Sequence, residues 1–180
     1  MTAKTPWSIP VRRDDVPDTG LHLDLAADEG TRAAIAEIAG LDALPRLTAS
    51  FDVARRGAGL HVTGEVAASV GQTCVVTLEP LANEVHELVD LVFLPAAAVT
   101  PAADHEASAP IDAEAEDEPE VLVDGTIDLG AIAVEFLLLG VDPYLRKPGA
   151  VFEGPKAEDT GNHPFAALAA LKRDKGADGD

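Results

Sequence analysis

The sequence predicts an α+β protein: an antiparallel curved sheet or partial β-barrel, two packed helices, and a short C-terminal helix. Three observations predict it. Apolar and polar residues alternate with a period of two through most of Leu47–Leu94, the pattern of half-buried strands. Thr31–Ala39 and Leu129–Leu139 each carry an apolar stripe at helical spacing. Pro164–Lys172 repeats that spacing over about three turns. The expected organisation is one domain over 1–160 with a disordered acidic loop at 96–120, then a C-terminal helix and tail over 161–180.

Taken in order, Trp7–Val11 is a short extended segment whose prolines restrict it to an edge. Leu21, Leu23 and Leu25 alternate with His22 and Asp24, as in a strand. Asp28 is placed to cap the first helix and Gly40 to stop it. Ala34, Ile35 and Ile38 form its expected core stripe.

The central stretch follows. Leu47, Ala49, Phe51 and Val53 make one strand face, and Leu60, Val62, Gly64, Val66, Ala68 and Val70 the next. Opposed residues in an antiparallel pair share a face. A loop Arg56-Gly57-Ala58-Gly59 satisfies this by setting Arg55 opposite Leu60. A three-residue loop Gly71-Gln72-Thr73 then opposes Val70 with Cys74 and Ala68 with Val76, giving a third strand with Cys74, Val76 and Leu78 inward. Val85–Leu94 reads as a strand covered on both faces.

From Ala96 to Glu120, Ala, Pro, Asp and Glu dominate, leaving too little apolar surface to offset the entropy of ordering. The segment is either a solvated spacer or a contact for a basic partner. Val121–Val123 returns as a strand that completes the sheet. Asp128 is placed to cap the second helix, with Ile127 and Ile132 as a hydrophobic staple. Its expected stripe is Leu129, Ile132, Phe136 and Leu139, widened by Ala133 and Leu137. Gly140 and Pro143 end it. In the last helix, Phe165, Leu168, Leu171 and Lys172 are the candidate partner-binding residues. That helix either recognises a partner through its apolar stripe or covers its own sheet.

The chain has 180 residues and a formal net charge of −19. Such a field opposes nucleic acid, because polyanions are bound through Lys and Arg. Contact with RNA is therefore expected to be local or made through another protein, and a basic partner suits the chain better. Acidity that serves solubility alone is the plainer reading. Aromatic residues are only 4%, so Val, Leu and Ala must fill the core. A single cysteine permits no internal disulfide. The N-terminus lacks a basic-then-apolar leader pattern, and the apolar run Ile132–Val141 is too short to span a bilayer. The expectation is a soluble cytoplasmic protein that makes no membrane contact.

No residues group as a catalytic set. Cys74 has half of a zinc-knuckle spacing, but Thr77 stands where a second thiolate would be. Its inward position makes it a small buried hydrophobe. Arg12-Arg13, Arg55-Arg56 and Arg146-Lys147 are the basic pairs, either gathered by the fold or scattered on its surface. No catalytic, cofactor or metal residue is expected.

Three segments carry a resemblance: Thr73–Leu81, the Asp128-Leu129 helix with Glu135 and the leucines after it, and the ending His163–Lys172. In order and spacing the chain resembles the YceD family, the large ribosomal RNA subunit accumulation proteins, from about Pro6 to Lys172 and excluding the acidic loop. Many relatives carry Cys-x-x-Cys where this chain has Cys74 and Thr77. The resemblance implies a non-enzymatic factor in ribosome biogenesis, supporting synthesis, processing or stability of the large-subunit (23S) ribosomal RNA. Its implied partner is a large-subunit precursor or a basic ribosomal protein. An acidic chaperone for one such protein, or an enzyme whose site is assembled from distant residues, are the alternatives.

Overall fold

Among the described residues, seven strands and two α-helices follow one another in the order β1(Pro10–Arg12), β2(Leu21–Ala26), α1(Glu29–Ala39), β3(Ala43–Arg56), β4(Gly59–Thr73), β5(Pro80–Pro95), β6(Glu120–Leu122), β7(Thr126–Asp128), α2(Leu129–Gly140). This computed structural model describes residues 5–96, 98, 119–152 and 154. The chain divides into units 1–150 and 151–180, and every element above lies in the first. Most of the acidic loop expected over 96–120, and the helix expected over Pro164–Lys172, lie outside the described residues.

The main sheet has five strands in the order β2-β3-β4-β5-β6. It is antiparallel except for β6, which runs parallel to the end of β5. It is open, not a closed barrel: β2 and β6 stand at its two edges. β1 and β7 pair apart from it as a two-stranded ribbon. The fold class is α+β, as the alternation and the two helical stripes predict.

The expected pairing of β3 with β4 holds: Phe51 faces Gly64, Val53 faces Val62, and Arg55 faces Leu60. The turn is tighter than expected, because Arg56 also pairs with Gly59. Gly57 takes φ +58 there, which a two-residue hairpin turn needs at its first central position. Gly64 has a packing reason. A Cβ there would strike the Ser50 carbonyl oxygen and the Phe51 ring.

The second hairpin corrects the sequence reading. β4 does not turn at Gly71; it runs on to Thr73, which pairs with Pro80. Val70 therefore faces Asn83, and Ala68 faces Val85. Cys74–Glu79, expected as a strand, is a turn in which Leu78 takes φ +58 and is 76% exposed. Tertiary contacts outweigh the local turn signal. The Asp42 N–H bonds the Gly71 carbonyl at 2.9 Å, and Gln72 Nε2 donates to the Asp142 carbonyl at 2.8 Å. β5 also differs from its expected double coverage. Leu88 is 82% exposed, and both faces are partly buried only near the strand's end.

One face of the sheet supplies Phe51, Val53, Leu60, Val62, Val66 and Val70, all buried. Ile35 of α1 and Leu129, Ala133 and Leu137 of α2 join the same core. Fully burying such a side chain contributes on the order of 2 kcal/mol, so this layer carries much of the stability. Asp28 caps α1 by accepting the Thr31 N–H at 2.8 Å, and Gly40 ends it at φ +63. Ile38 is not in the core stripe; it is 64% exposed. The helix is turned so that Ile35 and Ala36 face inward, with Arg32 reaching the Ala27 and Leu44 carbonyls at 2.6 and 3.1 Å. Leu139 is likewise exposed, at 72%. The last turn of α2 lies against Val85 and Glu87 through Gly140, where a side chain would collide with both.

Candidate partner-binding surface

The alternation that buries one sheet face leaves the other to water. Across the strands it builds rows. His22 faces Asp52, Asp52 faces Thr63, and Thr63 faces Asp90. Asp24, Ser50, Glu65 and Leu88 make the next row, and Arg46, Ser69 and Glu84 a third. Asp24, Asp52, Glu65, Glu84 and Asp90 thus share one exposed face, and Arg46 is the guanidinium within these rows.

Part of that charge is held locally. Arg46 Nη2 lies 2.8 Å from Glu84 Oε2, and the Ser69 hydroxyl donates to Glu84 Oε1 at 2.6 Å. The Ser69 hydrogen bond, then Arg46, hold the Glu84 carboxyl below its usual range. His22 Nδ1 lies 2.9 Å from Asp52, and His61 Nε2 lies 2.7 Å from Asp90. The Asp52 hydrogen bond and charge raise the His22 imidazole above its ordinary value. Glu65 has no hydrogen bond or ion pair among the described residues. Asp24, Ser50, Thr48 and Glu65 border a shallow hollow of about 380 Å³, and His22, Asp52, His61 and Thr63 border one of about 270 Å³. Among the described residues, no hydroxyl or thiol hydrogen-bonds to either imidazole.

Cys74 is fully buried, as expected, but in a separate setting from the main core. Its Sγ accepts the Lys147 N–H at 3.3 Å and the Thr77 N–H at 3.4 Å. These donors, Lys147 first, pull the thiol down to about 6 against the opposing effect of burial. The Val75 N–H bonds the Leu145 carbonyl, and Lys147 Nζ pairs with Glu79 at 2.8 Å. The thiol thus fastens the segment after α2 to the turn. Thr77, expected as a missing ligand position, offers its N–H to Cys74 and its hydroxyl to Glu79. No group of three or more His, Cys, Asp or Glu suited to a metal occurs among the described residues.

The three basic pairs do not form one site. Arg13 Nη2 donates to the Gly57 carbonyl at 2.9 Å, and Arg55 reaches Asp18 and the Asp14 carbonyl. These two gather at the β3–β4 turn. Lys147 sits by the Cys74 turn, at the other end of β4. Phe165, Leu168, Leu171 and Lys172, the candidate partner-binding residues, lie outside the described residues. The acidic face was missed as a unit because its carboxylates come from four strands and meet only through register.

A protein-family model described as "Large ribosomal RNA subunit accumulation protein YceD" matches residues 62–172. The chain belongs to the YceD family. The matched region takes in β4 from Val62 on, β5, β6, β7 and α2, and with them Glu65, Glu84, Asp90 and the Cys74 turn. YceD membership ties the chain to accumulation of large-subunit ribosomal RNA, as the family description states. No curated protein and no solved structure matches it. Among the described residues, no helix is long and apolar enough to cross a membrane.

Proposed function

We propose that the chain is a non-enzymatic factor in ribosome biogenesis that supports synthesis, processing or stability of the large-subunit (23S) ribosomal RNA through a basic partner protein. One observation carries this reading: in a YceD-family chain, the exposed sheet face holds Asp24, Asp52, Glu65, Glu84 and Asp90 against Arg46 and Arg56. That face repels phosphate backbones and favours Lys- and Arg-rich surfaces. Proteins that fold on ribosomal RNA carry such surfaces, so this chain would reach the RNA through one of them. A dedicated acidic chaperone for one basic ribosomal protein is supported by the same face. The helix expected over Pro164–Lys172, with Phe165, Leu168, Leu171 and Lys172, would provide a second contact. The reading places the protein in the cytoplasm.

The test is sedimentation of tagged protein from cell extract through a gradient. The proposal expects it to travel with large-subunit precursors and to leave them as salt is raised. Migration only as free protein would refute it. Co-purification with one basic ribosomal protein, but not with precursors, would select the chaperone role.

A further inference from the structure

The two long sides of β5 are unlike. One side pairs with β4 along its length, from Thr73↔Pro80 to Leu60↔Phe93, with no register shift. The other pairs only at Phe93, Leu94 and Pro95, with β6. Among the described residues, nothing pairs with that second side from Leu81 to Val92, about 40 Å of strand.

Which main-chain groups face this open side follows from register. Main-chain directions alternate along a strand. The Cys74 N–H bonds the Glu79 carbonyl at 2.8 Å, continuing the register of Thr73 and Pro80. Odd-numbered residues of β5 therefore bond to β4. Asp42 N–H to the Gly71 carbonyl and Ala27 N–H to the Leu47 carbonyl fix the same parity on the neighbouring strands. Ala82, Glu84, His86, Leu88, Asp90 and Val92 then turn their N–H and C=O groups to the open side.

Such an edge is usually blunted by shortness, a bulge, an inserted proline or lysine. β2, at the far edge, is short. The open stretch of β5 is long, regular and free of proline and lysine within Leu81–Val92. Its charged groups are Glu84, Glu87 and Asp90, with no Lys or Arg. A second copy of this edge would bring like charges together. A basic strand would meet opposite ones, with the 82%-exposed Leu88 between Glu84 and Asp90 on the outer face.

We infer that the open side of β5 takes up an extended basic segment of a protein partner as an added strand. Main-chain pairing with Ala82–Val92 supplies the affinity, and Glu84 and Asp90 on the outer face favour Lys or Arg beside them. The inference rests on the basic-partner reading above and names how that partner is held.

The probe is a short labelled peptide alternating Lys with Val, compared with the same peptide carrying Glu for Lys. The expected result is binding of the Lys peptide only, weakening as salt rises. Amide exchange of Ala82, Glu84, His86, Leu88, Asp90 and Val92 should slow in the complex. N-methylating alternate peptide amides removes ladder donors without touching the protein. One methylated set should lose binding by about tenfold or more, and the other should keep it. His86→Pro removes one outward N–H from the edge and should weaken binding in protein that melts like wild type. Equal binding by both methylated sets overturns the inference, as does slow exchange of these amides in the free protein, which would mean the chain covers its own edge. The two readings fail separately. Precursor association that survives His86→Pro sinks the edge and spares the function. Peptide binding without precursor association does the reverse.

Discussion

The Asp128 carboxylate accepts the Ile9 main-chain N–H at 2.8 Å, joining residues that are 119 apart in sequence. The same Oδ1 accepts the Gly130 and Ala131 N–H groups at 3.0 and 3.1 Å, and Oδ2 takes the Ser8 hydroxyl. One side chain therefore caps α2 and anchors the N-terminal segment to it. Asp128→Ala loses a cap, at about 1 kcal/mol, and leaves the Ile9 N–H without its partner, at roughly 1–2 kcal/mol more. Urea unfolding should show the sum, with Asp128→Asn milder. Wild-type stability in the alanine variant would mean that the joint holds nothing.

Gly64→Ala should cost about 3 kcal/mol or abolish folding. The added methyl would meet the Ser50 carbonyl and Phe51 in the centre of the sheet, where relief requires parting β3 from β4. Ala at Gly125 offers a contrast: there is no steric neighbour within 4 Å, only the strain of φ +67. Far-ultraviolet circular dichroism during urea unfolding would compare the two. A Gly64→Ala protein as stable as wild type would rule out the close approach.

Cys74 predicts a pH dependence. Its thiol falls from 9.0 to about 6 in the fold, so folding favours the thiolate. The contribution is complete above pH 9 and shrinks as pH drops toward 6. Wild type should therefore gain stability, relative to Cys74→Ala, as pH rises through that window. Parallel melting curves for the two proteins from pH 6 to 9 would contradict it. Cys74→Ala should melt somewhat lower than wild type and still associate with large-subunit precursors.

Neutralising the outer face should separate binding from folding. Asp52→Asn, Glu65→Gln and Asp90→Asn together remove three charges from exposed positions, where each change alters stability by about 0.5 kcal/mol or less. Melting should hold while co-sedimentation with precursors drops and loses its salt dependence. Undiminished co-sedimentation would move the partner site elsewhere.

Deleting residues 162–180 removes Phe165, Leu168, Leu171 and Lys172, part of which falls within the family match. If that segment serves a partner, melting stays near the wild-type value and large-subunit assembly in cells suffers. A markedly lower melting temperature would instead make it part of the fold.

What the sequence made legible was local and periodic. Asp28, Gly40 and Asp128 could be placed as caps because capping depends on a few neighbouring residues. The pairing of Arg55 with Leu60 followed from parity alone. The Cys74 turn was illegible, because contacts from Asp42 and Asp142, each about thirty residues or more distant, hold Gly71–Thr73 extended. The outward turn of Ile38 and Leu139 escaped for a similar reason: helical spacing defines a stripe but does not fix which edge of it meets the sheet. The pairing of β1 with β7 joins segments more than a hundred residues apart and has no local sign; only the turn that leads into β7 from Val123 has one. Asp124-Gly125, both at positive φ, is a strong hairpin dipeptide.

The join between β5 and β6 has a consequence for how this chain can vary. Because Glu120 enters beside Phe93 while β5 leaves at Pro95, the gap to be bridged is about 10 Å. Residues 96–119 could stretch about 80 Å. Their length is thus unconstrained by the strands they connect, and halving or doubling it shifts the closure entropy by only about 0.6 kcal/mol. Insertions, deletions or a foreign domain can accumulate there under no demand from the sheet, so that interval is where homologous chains are free to diverge in size.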